Sequence, residues 1–335
     1  MQGSGAVSLH AMTDHILSAI KLSGPDRGEP LATEDAIVEA LKASDLAWLH
    51  LQSDHHDTRA WIETHLAFLT PIITSALVAE ETRPRASVID DGVVVILRGV
   101  NTNPGQDPDD MVSIRMWVHP AHIVSLSRRP LASVGDIQTA LAAGRGPDRA
   151  GAFLCQLTEH LNERIETYLR DLDDETDALE EDVIAEPSAI LHARVTETRR
   201  QVVSFRRHVG PQRDALDKLT HSTMALFTDA DRLRLRESHD RLVRTVEDLD
   251  AMRDRLQVVK DELTNVQSER LNRNLYILSL VSAVFLPLGF LTGLMGINLG
   301  GMPGAGSPTA FWAFSGGLVL IVILLLLVLR RMRMF

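Results

Sequence analysis

From Asn274 to Leu329 the chain carries no Asp, Glu, Lys, Arg or His, whereas everything before it is densely charged. A Gly/Pro-rich break, LGGMPGAGSPT, divides this stretch into two apolar segments, Leu275 to Gly293 and Ala310 to Leu329. At about 1.5 Å per residue each extends roughly 28 to 30 Å, the thickness of a bilayer's hydrocarbon core. Hiding both segments in water would need a far larger fold. The sequence therefore predicts two membrane spans attached to a water-soluble part. Arg270 and Arg273 precede the first span, and Arg330, Arg331 and Arg333 follow the second, with no charge in the loop between them. The positive-inside rule then places both termini on the cytoplasmic side of the plasma (inner) membrane.

The soluble part is read as cytosolic. The first 25 residues carry Asp14 and Lys21 and no uninterrupted apolar run, so no secretory leader is expected. Cys155 is the sole cysteine, which excludes a disulfide within the chain. A net charge of -11 argues against nucleic acid as a partner and suits the attraction of cations. Residues 1 to 30 have weak periodicity and several Gly, Ser and Pro, and are expected to be a loosely ordered start. Between 31 and 147 short patterns alternate: LAWLHLQ reads as a strand, RAWIETHLAFL as a helix, and SVIDDGVVVILRGV and MVSIRMWVHPAHIVSLS as further strands. This is a compact α/β domain, of α+β class when joined to the helices that follow. It contains no P-loop, no GxGxxG after a strand and no nucleophile elbow, so no enzyme activity is expected.

After Gly146-Pro147 the pattern changes to long helices. One is expected from Ala150 to Ala185 and a second from about Ser188 to His221, with a kink possible at Gly210-Pro211. The first carries an acidic run, Asp171, Asp173, Asp174, Glu175, Asp177, Glu180, Glu181 and Asp182, and the second carries Arg199, Arg200, Arg206, Arg207 and Arg213. These read as two solvated, mutually attracting faces of a hairpin. A third helix starts near Thr228 or Asp229, and nothing but Pro287 interrupts it before Gly293. Leu235, Leu242, Leu249, Leu256 and Leu263 recur every seven residues along it as a packing seam.

About 200° around that helix lies a different strip: Asp261, Ser268, Leu275, Ser282, Gly289 and Gly296, bordered by Asn265, Asn272, Ser279, Leu286 and Gly293. Small and hydroxyl side chains in a span either pack helices closely or face water. Close packing and a pore lining both fit. Two spans cannot enclose a pore, so a pore needs a ring of copies. A membrane-tethered coiled-coil scaffold is a second reading of the heptads. It does not explain the polar strip.

The stretch LPLGFLTGLMGINLGGMPG follows a long charged helix and precedes one last span with a basic tail. In this it resembles the CorA metal-ion transporter superfamily, whose signature is Gly-Met-Asn at the end of the first span. With Ile297 as the middle residue, and with ILRGVNTNPGQDPDDMVSIRMWV upstream, the chain is similar to the ZntB-like zinc transporter branch. The resemblance implies a homopentameric funnel for divalent cations, Zn²⁺ above all, possibly proton-coupled. A magnesium, cobalt or nickel channel of the CorA type is the alternative. The implied organisation is an α/β domain over 1–147, a helical hairpin over 148–227, a stalk helix and first span over 228–293, a signature loop over 294–309 and a second span with its tail over 310–335. Gly296, Ile297 and Asn298 become the signature at the outer mouth, Asn272, Leu275, Leu278, Ser282, Leu286 and Gly289 the pore lining, and Asp261 and Asn298 the groups that meet metal. Ile297 and Gly304 depart from the magnesium branch. No cofactor is implied beyond the transported ion.

Dehydrated Zn²⁺ is held by His, Cys or carboxylate, and neither span contains any. The ion is therefore expected to cross at least partly hydrated. The densest histidines, His55 and His56 in SDHHD with His50 and His65 nearby, are expected to be a solvated loop, because adjacent residues seldom converge on one metal.

Overall fold

The computed structural model describes residues 14–185, 188–297, 304 and 306–331. These fall into two compact units divided between Lys260 and Asp261. The first is built on a six-stranded sheet of order β1-β2-β6-β5-β4-β3. Its strands are β1 (Ile16–Lys21), β2 (Ala47–Gln52), β3 (Arg85–Ile89), β4 (Gly92–Gly99), β5 (Val112–Val118) and β6 (His122–Ser127). β2 and β6 run parallel, and all other neighbours are antiparallel.

Val93 to Leu97 of β4 are buried without a break, as a strand covered on both faces must be. On one face α1 (Glu34–Lys42), α2 (Thr58–His65) and α3 (Pro71–Leu77) close a core with Leu49, Leu51, Val94, Ile96, Trp117, Val124 and Leu126. The other face receives α5 (Ala150–Ala185), whose Phe153 meets Trp48 edge-on with ring centres 4.9 Å apart. α4 (Ala132–Ala142) leads into it. At Gly99 the packing leaves no room for a side chain: a Cβ would lie 2.6 Å from Leu161 Cδ2.

β1 corrects one expectation. Residues 16 to 21 lie in the segment read as loosely ordered, yet they pair antiparallel with β2. Leu17 is 45% exposed on this edge strand, so its alternation is weak; the partner that stabilises it is some 30 residues away in sequence. The chain returns through Gly28, whose φ of +89° suits glycine and whose N–H donates to the Lys21 carbonyl at 2.8 Å.

α6 (Ala189–Thr220) continues through Gly210 and Pro211, with Ser188 as its N-cap. α7 (Asp229–Met295) opens with a capping box in which the Asp231 N–H donates to Thr228 Oγ1 and the Thr228 N–H donates to Asp231 Oδ2. Leu235, Leu242, Leu249 and Leu256 are fully buried. The expected charge pairing between α5 and α6 runs through Arg194 of α6 rather than the arginines singled out, and α7 shares it. The acidic run is held by Arg255 of α7, which reaches Asp173 at 3.0 Å, Glu180 at 2.8 Å and also Asp177. It is also held by Arg194, which reaches Glu175 at 3.0 Å and Asp182 at 2.7 Å. Of the arginines singled out in α6, Arg200 pairs with Asp109, Arg206 with Asp250 and Arg213 with Asp214. A three-helix arrangement gives each acid a choice of two neighbours, and one-dimensional charge counting cannot make that choice.

His50, two residues from Trp48 on β2, is buried with both nitrogens engaged: Nδ1 is 2.8 Å from Ser125 Oγ and Nε2 3.2 Å from Ser127 Oγ. Burial pushes its pKa down to about 4, outweighing the Ser125 hydrogen bond. It is neutral when folded and takes up a proton more readily when unfolded. Its contribution is therefore fully present above the ordinary value of about 6.5 and is lost as pH falls from there toward 4, on the order of 3 kcal/mol in all. Thermal denaturation of the solubilised protein should show its midpoint falling over that interval, less steeply for His50→Gln. Equal slopes would refute the assignment.

Candidate ion pathway

The second unit contains the end of α7 and α8 (Ala310–Arg331). Each carries a segment long and apolar enough to cross a membrane, and none of either segment is buried within the chain. α7 is unbroken from Asp229 to Met295, with Pro287 inside it. Its backbone therefore sets the face each residue occupies, at about 100° per residue. On that geometry Asp261, Asn272, Leu275, Leu278, Ser282, Leu286 and Gly289 share an arc of about 120°. All seven are exposed in the single chain.

Leu275, Leu278 and Leu286 are 60%, 63% and 77% exposed, large apolar groups that the chain itself leaves uncovered. Between them the Ser282 hydroxyl donates to the Leu278 carbonyl at 2.8 Å. The proton is thus satisfied inside the helix, and the oxygen retains an acceptor site for water. Ser268 makes the same bond to the Thr264 carbonyl at 2.9 Å.

A groove lined by Phe285, Leu288, Gly289 and Thr292 of α7 and by Leu318, Val319, Val322 and Ile323 of α8 defines the side on which α8 lies. Phe285, Leu288 and Thr292 are centred about 100° away from the strip on the helix, and Gly289 borders both. Apart from Gly289, no residue of the strip lines that groove. Thr292, which the sequence reading did not single out, donates to the Leu288 carbonyl at 2.9 Å and belongs to this α8-facing side. The helix ends at Met295; the Gly296 N–H still donates to the Thr292 carbonyl at 2.9 Å, and Ile297 follows with 46% exposure. Asn298 lies outside the described residues.

The soluble unit holds a second group, in the run that the sequence reading expected to be a solvated loop. His55, His56 and Asp57 bring one metal-ligating atom each to within 4.8 Å of one another. The run SDHHD was itself the signal. What it lacked was the turn into α2 that folds the two rings together.

The comparisons agree with this architecture. Residues 43–331 match the family model described as CorA-like Mg2+ transporter protein. The chain is 35% identical over 293 residues to the divalent cation transporter CmaX of Pseudomonas aeruginosa, covering 87% of this chain and 88% of that one. It is 34% identical over 281 residues to the zinc transport protein ZntB of Yersinia enterocolitica, with 84% and 85% covered. The structure of full-length CmaX superposes with a TM-score of 0.79 at 32% identity, over 99% of this chain and all of that one. With its α/β unit, its long helix and its two apolar C-terminal helices, the chain belongs to the CorA-like family of metal-ion transporters.

Proposed function

We propose that the protein carries divalent metal cations across the plasma (inner) membrane, with Zn²⁺ as cargo and uptake as direction, as a ring of five copies whose strips on α7 face a common axis. The observation that carries this reading is the exposed strip from Asn272 to Gly289, of which only Gly289 lines the groove with α8. Family membership and relatives named for zinc and divalent cation transport support it. Both termini lie in the cytoplasm by the placement of Arg270, Arg273, Arg330 and Arg331.

In such a ring each strip position becomes five side chains. Asn298, with Gly296 and Ile297, forms the outer mouth, where amide oxygens replace part of the water around an arriving ion. Asn272 and Ser282 offer polar atoms to the hydrated ion, Gly289 allows close approach, and Asp261 adds negative charge where the strip leaves the apolar segment. Leu275, Leu278 and Leu286 form apolar constrictions that hold back ions when dry. Neither apolar segment contains Asp, Glu, Lys, Arg or His. A proton gradient that drives uptake acts through water or the soluble unit.

Transport itself is tested by metal flux into proteoliposomes. The ring is tested by light scattering in detergent: a particle of five protein chains is expected, and a monodisperse monomer or dimer would contradict it.

A further inference from the structure

The turn from β2 into α2 places three metal-binding side chains on one side of the backbone. His55 and His56 stack with ring centres 4.4 Å apart and an interplanar angle of 30°. Asp57 Oδ2 lies 3.1 Å from His56 Nε2 and 3.9 Å from His55 Nδ1. Ligand atoms around a tetrahedral Zn²⁺ with bonds of about 2.0 to 2.1 Å are about 3.3 Å apart, so the His56–Asp57 separation already matches and His55 Nδ1 must close in by roughly half an ångström. The chain's own geometry explains how neighbours converge. The Asp57 N–H donates to His55 Nδ1 at 3.3 Å, which folds that ring back over the turn. Nδ1 is thereby the unprotonated nitrogen, and an ion bound there takes the place of this long hydrogen bond on its one lone pair.

A separate observation comes from the start of β1. His15 is 2% exposed, and neither ring nitrogen has a hydrogen-bond partner among the described residues. A buried imidazole without a partner is costly. Its ring centre is 5.5 Å from that of His55. Two imidazoles on one tetrahedral ion place their centres about 5 Å apart. The neighbouring charges are already engaged: Asp54 accepts from Arg128 and Gln52, and Arg59 pairs with Glu63. Arg115, which lines the same pocket, donates to the Glu80 carbonyl at 3.3 Å.

We propose that His55, His56 and Asp57, with His15 behind them as the further nitrogen donor, form a Zn²⁺ site in the soluble unit. Imidazole nitrogen suits zinc, whereas magnesium and calcium take oxygen ligands. The site belongs to the first unit's own residues and holds whether or not the protein conducts.

The test is isothermal titration of the metal-stripped, full-length protein in detergent with Zn²⁺ alone, and with Zn²⁺ in the presence of excess Mg²⁺. Wild type should bind one more Zn²⁺ per chain than His55→Ala/His56→Ala, and Mg²⁺ should leave that difference intact. His56→Ala, which changes a side chain that is 81% exposed, guards against misfolding and should weaken this site about tenfold or more. His15→Gln should weaken it as well. Equal stoichiometry and affinity in wild type and His56→Ala would overturn the site. Loss of the extra zinc to Mg²⁺ would overturn its nitrogen-rich character.

Discussion

Replacing Asn298 by alanine should reduce metal uptake to background while leaving the assembly intact. In sequence Asn298 follows Met295, the last residue of α7, by three positions. Substitutions away from cores and buried networks usually change stability by no more than about 0.5 kcal/mol. The proposed work of the amide lies in replacing water around an arriving cation, five times in one ring, and alanine has no oxygen with which to do it. A helix-terminating role for Gly296 and Asn298 predicts the opposite pattern, a slightly less stable protein that transports normally. Zinc uptake by the Asn298→Ala protein, measured beside its size in detergent, separates the two. Wild-type uptake in a correctly sized particle would leave only the capping role.

Leu278→Ser should raise basal metal flux about tenfold, equivalent to lowering a barrier by about 1.4 kcal/mol. Leu278 is 63% exposed in the single chain and stands one turn below Ser282, whose hydroxyl already bonds the Leu278 carbonyl. A ring of serines at this level would hold water where a ring of leucines sheds it. Because the spans have no ionisable relay, the increase should appear at matched as well as unmatched pH. A flux unchanged under both conditions would mean that Leu278 does not line the path, and the assignment of the helix face would fail.

The parts of the architecture governed by local pattern were legible from residues alone. The 3.6-residue period of α5, the heptad leucines of α7 and the uncharged stretch after Arg273 each report a requirement that acts within a few turns of chain. The strip on α7 was legible for the same reason, since a single unbroken helix converts spacing directly into direction. Features set by distant partners were not. β1 is stabilised by β2 across a long loop, so its own sequence carries only a faint alternation. The acidic run of α5 was assigned to Arg199, Arg200, Arg206, Arg207 and Arg213 of α6, but Arg194, earlier in that helix, and Arg255 of α7 hold it, because packing and not charge order decides which neighbour is near. The convergence of His55, His56 and Asp57 depends on a backbone turn that residue types do not reveal.

The account turns on whether divalent metal crosses a membrane through this protein. The measurement is entry of Zn²⁺ into sealed proteoliposomes loaded with a zinc-sensitive dye, with a parallel set reporting Mg²⁺. The predicted result is a saturable rise in zinc signal that protein-free vesicles lack and that exceeds the magnesium signal at equal concentration. Zinc entry no faster than in protein-free vesicles, from protein of confirmed size and orientation, would contradict the account.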